Sequence, residues 1–81
     1  MNIHAGDYVM LKSVDELRHT CNNWKAFSTY FAPAMLKALT TSIPYRVAWE
    51  DVDKVCLFID NDVYAFDKMC IKSVYKLVKV D

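Results

Sequence analysis

The sequence predicts a small α+β domain: an antiparallel β-barrel of four or five strands, partly open and strongly bent, with one or two short helices inserted after the first strand. Three observations lead there. Four short runs, YVMLK, YRVAWE, VCLFID and VYAF, are apolar or alternate with a period of two, and turn-forming residues separate them. Between the first and second runs stand two helix starts, one a capping box and one a proline. At 81 residues the chain makes one globular domain, 1–81, with no room for a second core.

The elements follow in order. HAGDYVMLKSVDEL contains the only glycine of the chain, Gly6. Gly-Asp is a turn pair, and glycine allows the positive φ with which the backbone swings into the first strand. In that strand Val9 and Leu11 alternate with Tyr8, Met10 and Lys12. It stops at Ser13, whose hydroxyl accepts from the Glu16 amide while the Glu16 carboxylate reaches back to the Ser13 amide. Leu17, Thr20 or Cys21, and Trp24 then fall at helical spacing, which predicts a helix over 14–22 that Asn22-Asn23 ends. WKAFSTYF fits neither period. Pro33 opens a second helix, PAMLKAL, that stops before TTS.

Beyond Pro44 the pattern is that of strands. In YRVAWE, Tyr45, Val47 and Trp49 share one face, and Arg46, Ala48 and Glu50 the other. DVDK turns the chain, and VCLFID and VYAF form a hairpin about Asp60-Asn61-Asp62. In DKMCIKSVYKLVKVD, Lys68, Lys72, Lys76 and Lys79 fall in a narrow helical sector, yet SVYKLVKV is rich in β-branched residues. The balance predicts a helical turn at 67–71, capped by Asp67, and a last strand at 73–79.

Composition narrows the function. Lys+Arg and Asp+Glu are equal at 10 each, which removes the global electrostatic case for nucleic acid or an anionic membrane. Three cysteines, Cys21, Cys56 and Cys70, are an odd number without a CxxC pair, so they read as reduced thiols of a cytoplasmic protein. His19 and Cys21 are two apart and point to opposite sides of a helix; they read as a surface histidine and a buried thiol, with no metal between them. MNIHAGDY has no basic region followed by an apolar one, and VCLFI is too short to span a bilayer, so neither export nor a membrane is expected.

GDYVMLKS, an insert with Phe31, Met35 and Leu39, and YRVAWEDVDKVCLFIDNDVYAFDKM follow one another in an order that resembles the small SH3-like (Src-homology-3-like) barrel proteins of bacteriophages. Those proteins carry Gly-Asp-x-Val-x-Val near the start and an aromatic three residues before a methionine in the final hairpin, here Phe66 and Met69. Where they have Gly-Lys before the third strand, this chain has TTSIPY. The resemblance covers most of the chain. It implies a fold and a viral origin but no activity, since this fold hosts many functions.

No nucleophile elbow, phosphate loop or metal motif is present, and one glycine cannot write a dinucleotide fingerprint, so neither an enzyme nor a cofactor is expected. The leading expectation is a non-enzymatic module that binds a macromolecular partner: a phage-encoded inhibitor of a basic host protein, with self-association left open. With hydrophobic residues at 54%, so small a core leaves aromatics for an interface. The expected contact takes an aromatic anchor from Trp24, Phe27, Tyr30 or Trp49 and steering charge from the acidic turns. Those turns hold Glu50, Asp51 and Asp53, and then Asp60 and Asp62; either they lie together at one end of the barrel as a negative patch, or they are acidic only because Asp makes turns. The alternative is a nucleic-acid-binding barrel using Lys68, Lys72, Tyr75, Lys76 and Lys79.

Overall fold

In the computed structural model, which describes residues 2–76, the backbone turns into its first strand at Gly6, where φ is +91°. A side chain there would meet no atom within 4 Å, so backbone conformation alone demands the glycine, at a cost to other residues of about 1–2 kcal/mol. The turn is then locked by two backbone bonds: Gly6 N–H donates to the Val47 carbonyl (2.9 Å), and Val47 N–H donates to the Asp7 carbonyl (2.8 Å).

Strand β1 (Tyr8–Leu11) buries Val9 and Leu11, as its alternation predicts. Helix α1 (Val14–Thr20) opens on the capping box, with both Ser13–Glu16 bonds formed at 3.2 Å. It ends two residues earlier than the sequence predicts. The Thr20 hydroxyl bonds back to the Glu16 carbonyl, and Cys21 is already extended, with its thiol half-exposed rather than buried. WKAFSTYF forms a third helical piece, α2 (Trp24–Phe27), followed by a 3₁₀ turn (Ser28–Tyr30). The Ser28 and Thr29 hydroxyls return to the Lys25 and Ala26 carbonyls and tighten the last turn, which is why neither period fits this stretch. Helix α3 (Pro33–Leu39) has Pro33 in its first turn and buries Met35, Ala38 and Leu39.

Strands β2 (Tyr45–Glu50), β3 (Lys54–Ile59) and β4 (Asp62–Asp67) follow as a meander. A 3₁₀ turn (Lys68–Cys70), capped by the Asp67 carboxylate on the Met69 N–H (3.2 Å), leads into β5 (Ile71–Tyr75). The last strand thus begins at Ile71, two residues before the predicted start; residues 77–81, including Lys79, lie outside the described residues. All five strands join in one antiparallel sheet in the order β4-β3-β2-β1-β5. Its inner face meets α1 and α3 over a core that includes Val9, Leu17, Leu39, Val47, Leu57 and Phe66.

Two bulges bend this sheet. Val47 pairs with Leu57 but Trp49 pairs with Cys56, so Ala48 is one residue extra in β2; Lys72 is likewise extra in β5. The first bulge corrects the sequence reading of YRVAWE. An inserted residue flips everything beyond it, so Trp49 leaves the face of Val47 and stands outside, 55% exposed.

Asp7 is the one buried charged or polar residue among those described, 7% exposed. One carboxylate oxygen accepts from the His4 N–H (2.8 Å) and from Lys76 Nζ (2.6 Å), which also donates to the Asn2 carbonyl (2.9 Å). The start of the chain is thereby clipped to the residue after β5. The Lys76 bond first, then the His4 bond, hold the Asp7 carboxyl below the usual carboxylate range. A depressed carboxylate stabilises the fold above its unfolded value near pH ~4, and that stability is lost as pH falls through the folded value. Urea midpoints should therefore drop less between pH 7 and pH 3 in Asp7→Asn than in the wild type. Equal drops would mean that the clip contributes nothing.

Candidate functional site

The aromatic segment separates into a lid and an outward residue. Phe66, fully buried on β4, meets Phe31 edge-on with ring centres 6.0 Å apart. Phe31 in turn meets Phe27 at 5.1 Å and Trp24 at 5.9 Å. Trp24 and Phe27 are thus half-buried members of a ring cluster that closes one side of the core. Tyr30 points away from it and is 83% exposed. Between this segment and β4 lies a cavity of about 350 Å³, lined by Phe27, Tyr30, Phe31, Met35, Lys54, Ala65 and Asp67. Lys54 and Asp67 pair at 3.5 Å at its wall.

Trp49 stands on the outer face of β2, β3 and β4. Its cross-strand row is Trp49, Cys56, Ala65, and the next row on that face is Phe58 and Val63, which pair directly and are both exposed. Two strand spacings, about 10 Å, separate Trp49 from Ala65 at the cavity wall. An apolar shelf, with Cys56 buried beneath its middle, therefore runs from Trp49 across β3 to the cavity that Tyr30 borders. Phe58 and Val63 were missed in the sequence because VCLFID is an unbroken apolar run; once Val55, Leu57 and Ile59 turn inward, alternation forces Phe58 out.

The acidic turns do not gather at one end. Asp51 and Asp53 precede β3, and Asp60 and Asp62 follow it, so a six-residue strand of about 20 Å lies between them. Successive turns of a meander lie at opposite ends of the strand they flank, which decides against a single acidic patch, one of the two readings the sequence leaves open. Glu50 pairs with Lys68 at 2.9 Å, and the Asp51 carboxylate accepts from the Val52 N–H at 2.7 Å. Asp60 and Asp62 make no ion pair among the described residues, and Asp60 holds φ +56° at the first position of its turn.

The lysines of the nucleic-acid alternative are dispersed over a 3₁₀ turn, a bulge and the end of a strand. Each described one has a carboxylate partner: Lys68 has Glu50, Lys72 has Glu16 (3.4 Å), and Lys76 has Asp7. Tyr75 is exposed beside them and opposite Tyr8. Burial pushes the Cys70 thiol up to about 12 and raises that of Cys56, which leaves both as neutral apolar groups. Among the described residues no cluster of three or more His, Cys, Asp or Glu could hold a metal, and no helix is long and apolar enough to cross a membrane.

No family model, no curated protein and no solved structure matches the chain.

Proposed function

We propose that the chain is a non-enzymatic, protein-binding module on an SH3-like barrel, acting in a host cytoplasm as a virus-encoded modulator of a basic host protein. The barrel reading is supported by β1 pairing with both β2 and β5, by the two bulges, and by the 3₁₀ turn before the last strand. The observation that carries the function is the pair of outward aromatics, Trp49 and Tyr30, on either side of the apolar shelf. Tyrosine and tryptophan bury large area with few rotamers to freeze, which is why interface hot spots use them.

Capture from a host lysate followed by mass spectrometry tests this reading. Wild-type protein should retain one specific protein that Tyr30→Ala and Trp49→Ala lose while keeping wild-type melting curves. The nucleic-acid alternative requires a gel shift that weakens steeply with salt; such a shift without any protein captured would replace the proposal. Association rates give a second check. The two acidic turns lie further apart than a Debye length of about 8–10 Å, so they meet a basic partner independently. Reversing Asp60 and Asp62 to lysine, or Asp51 and Asp53 to lysine, should each slow association, and the effects on the logarithm of the rate should add. Unchanged association in both would remove the steering role.

A further inference from the structure

We infer that the free edge of β4 takes up an extended, basic segment of a partner protein as a sixth strand, with one bulky apolar side chain of that segment filling the cavity beside Ala65. The inference rests on the protein-binding reading and names the partner's chemistry.

The argument begins with backbone groups. Strand β4 lies at one end of the sheet, paired only with β3. Asp60 and Asn61 form the two-residue loop between them, closed by Ile59 opposite Asp62. The carbonyl-to-amide bond of such a turn makes Ile59 and Asp62 a hydrogen-bonded pair. Alternation then turns the N–H and C=O of Val63, Ala65 and Asp67 away from β3. Among the described residues neither Val63 nor Ala65 has a backbone partner outside the β3 pairing.

Edges of this kind are ordinarily blunted by lysine, proline, a bulge or a covering element. The six pairs of β4 with β3 run without a register shift, and DVYAFD contains neither lysine nor proline. The aromatic segment that would cover the edge stands off and leaves the cavity of about 350 Å³, with Ala65 and Asp67 in its wall. A strand laid along the edge would set one side chain against Phe27, Phe31 and Met35.

Charge selects the occupant. Asp60 and Asp62 flank one end of the edge without ion pairs among the described residues, and Asp67 at the other end, which also caps the Met69 N–H, has one cationic partner, Lys54, at 3.5 Å. Lysine or arginine on both sides of the apolar residue complements these carboxylates. A second copy of this chain does not, because fully overlapped antiparallel pairing of Asp62–Asp67 with itself sets acidic ends side by side twice.

Selection from a library of random 12-residue peptides on the immobilised protein tests the inference. Enriched peptides should alternate lysine or arginine with apolar residues. The best of them, added to nitrogen-15-labelled protein, should slow amide exchange at Val63 and Ala65. Methylating the peptide's own backbone nitrogens on the paired side should weaken binding at least tenfold. Ala65→Pro, which removes an outward N–H at a position where an edge tolerates proline, should weaken it similarly. The methylated peptide keeps the test decisive if that variant does not fold. Helix-period or acidic peptides, unchanged exchange at Val63 and Ala65, no enrichment, or dimerisation through β4 would overturn the edge site. Lysate capture lost in Tyr30→Ala, with exchange at the edge unaffected, would leave the protein-binding reading standing without it.

Discussion

Phe66→Ala is expected to remove about 4 kcal/mol of stability, within the range seen when a buried phenylalanine is cut to alanine. Phe66 has no exposed surface, and its ring is the one to which the lid docks through Phe31 at 6.0 Å. Truncation therefore loses transfer energy, leaves a void in the core beneath β4, and frees the Trp24–Phe27–Phe31 cluster from its anchor. An edge-on aromatic pair adds about 0.5–1.5 kcal/mol beyond area alone, so the loss should exceed that of a comparable aliphatic site. A domain this small holds only about 5 kcal/mol in total, and the variant should be substantially unfolded at 37 °C. Urea unfolding at 10 °C measures the difference. A loss below about 1 kcal/mol, typical of surface positions, would mean that Phe66 is not the hub of the lid.

The features legible in the sequence are those decided by three or four adjacent residues. Gly6 announces its own positive φ, Ser13 and Glu16 close a capping box through side chains only three apart, and Pro33 fixes a first helical turn. The hairpin at 60–62 is equally local, since Asp60 and Asn61 tolerate turn geometry. What escaped depends on pairing between distant segments. Nothing in YRVAWE marks Ala48 as a bulge, because the extra residue is set by the register β2 must keep with β1 on one side and β3 on the other. The outward placement of Trp49 hangs on that register. The separation of the acidic turns was open to topological reasoning, since a meander sends alternate turns to opposite ends. In 24–31 the aromatic residues are compositionally alike, and only their docking on Phe66 separates the half-buried Trp24 and Phe27 from the outward Tyr30.

The two tryptophans should accordingly fail in opposite ways when replaced by alanine. Trp24 packs against Phe27 at 6.1 Å and Phe31 at 5.9 Å, so Trp24→Ala should cost about 3 kcal/mol of stability, the low end for an aromatic site because the ring is only half-buried. The bulge at Ala48 puts Trp49 outside, 55% exposed, at one end of the apolar shelf. Trp49→Ala should leave the melting curve within about 0.5 kcal/mol of wild type, as for surface positions that carry no structural feature. Its effect belongs to the complex. A hot-spot aromatic is worth about 2 kcal/mol or more, which at about 1.4 kcal/mol per decade is roughly a thirtyfold loss of affinity. That loss should appear mainly in the dissociation rate, since the area Trp49 covers is buried only after encounter. Thermal melts alongside dissociation rates for both variants separate the roles. A destabilised Trp49→Ala would place that ring in the fold rather than in the interface, and the shelf would lose its claim to the partner.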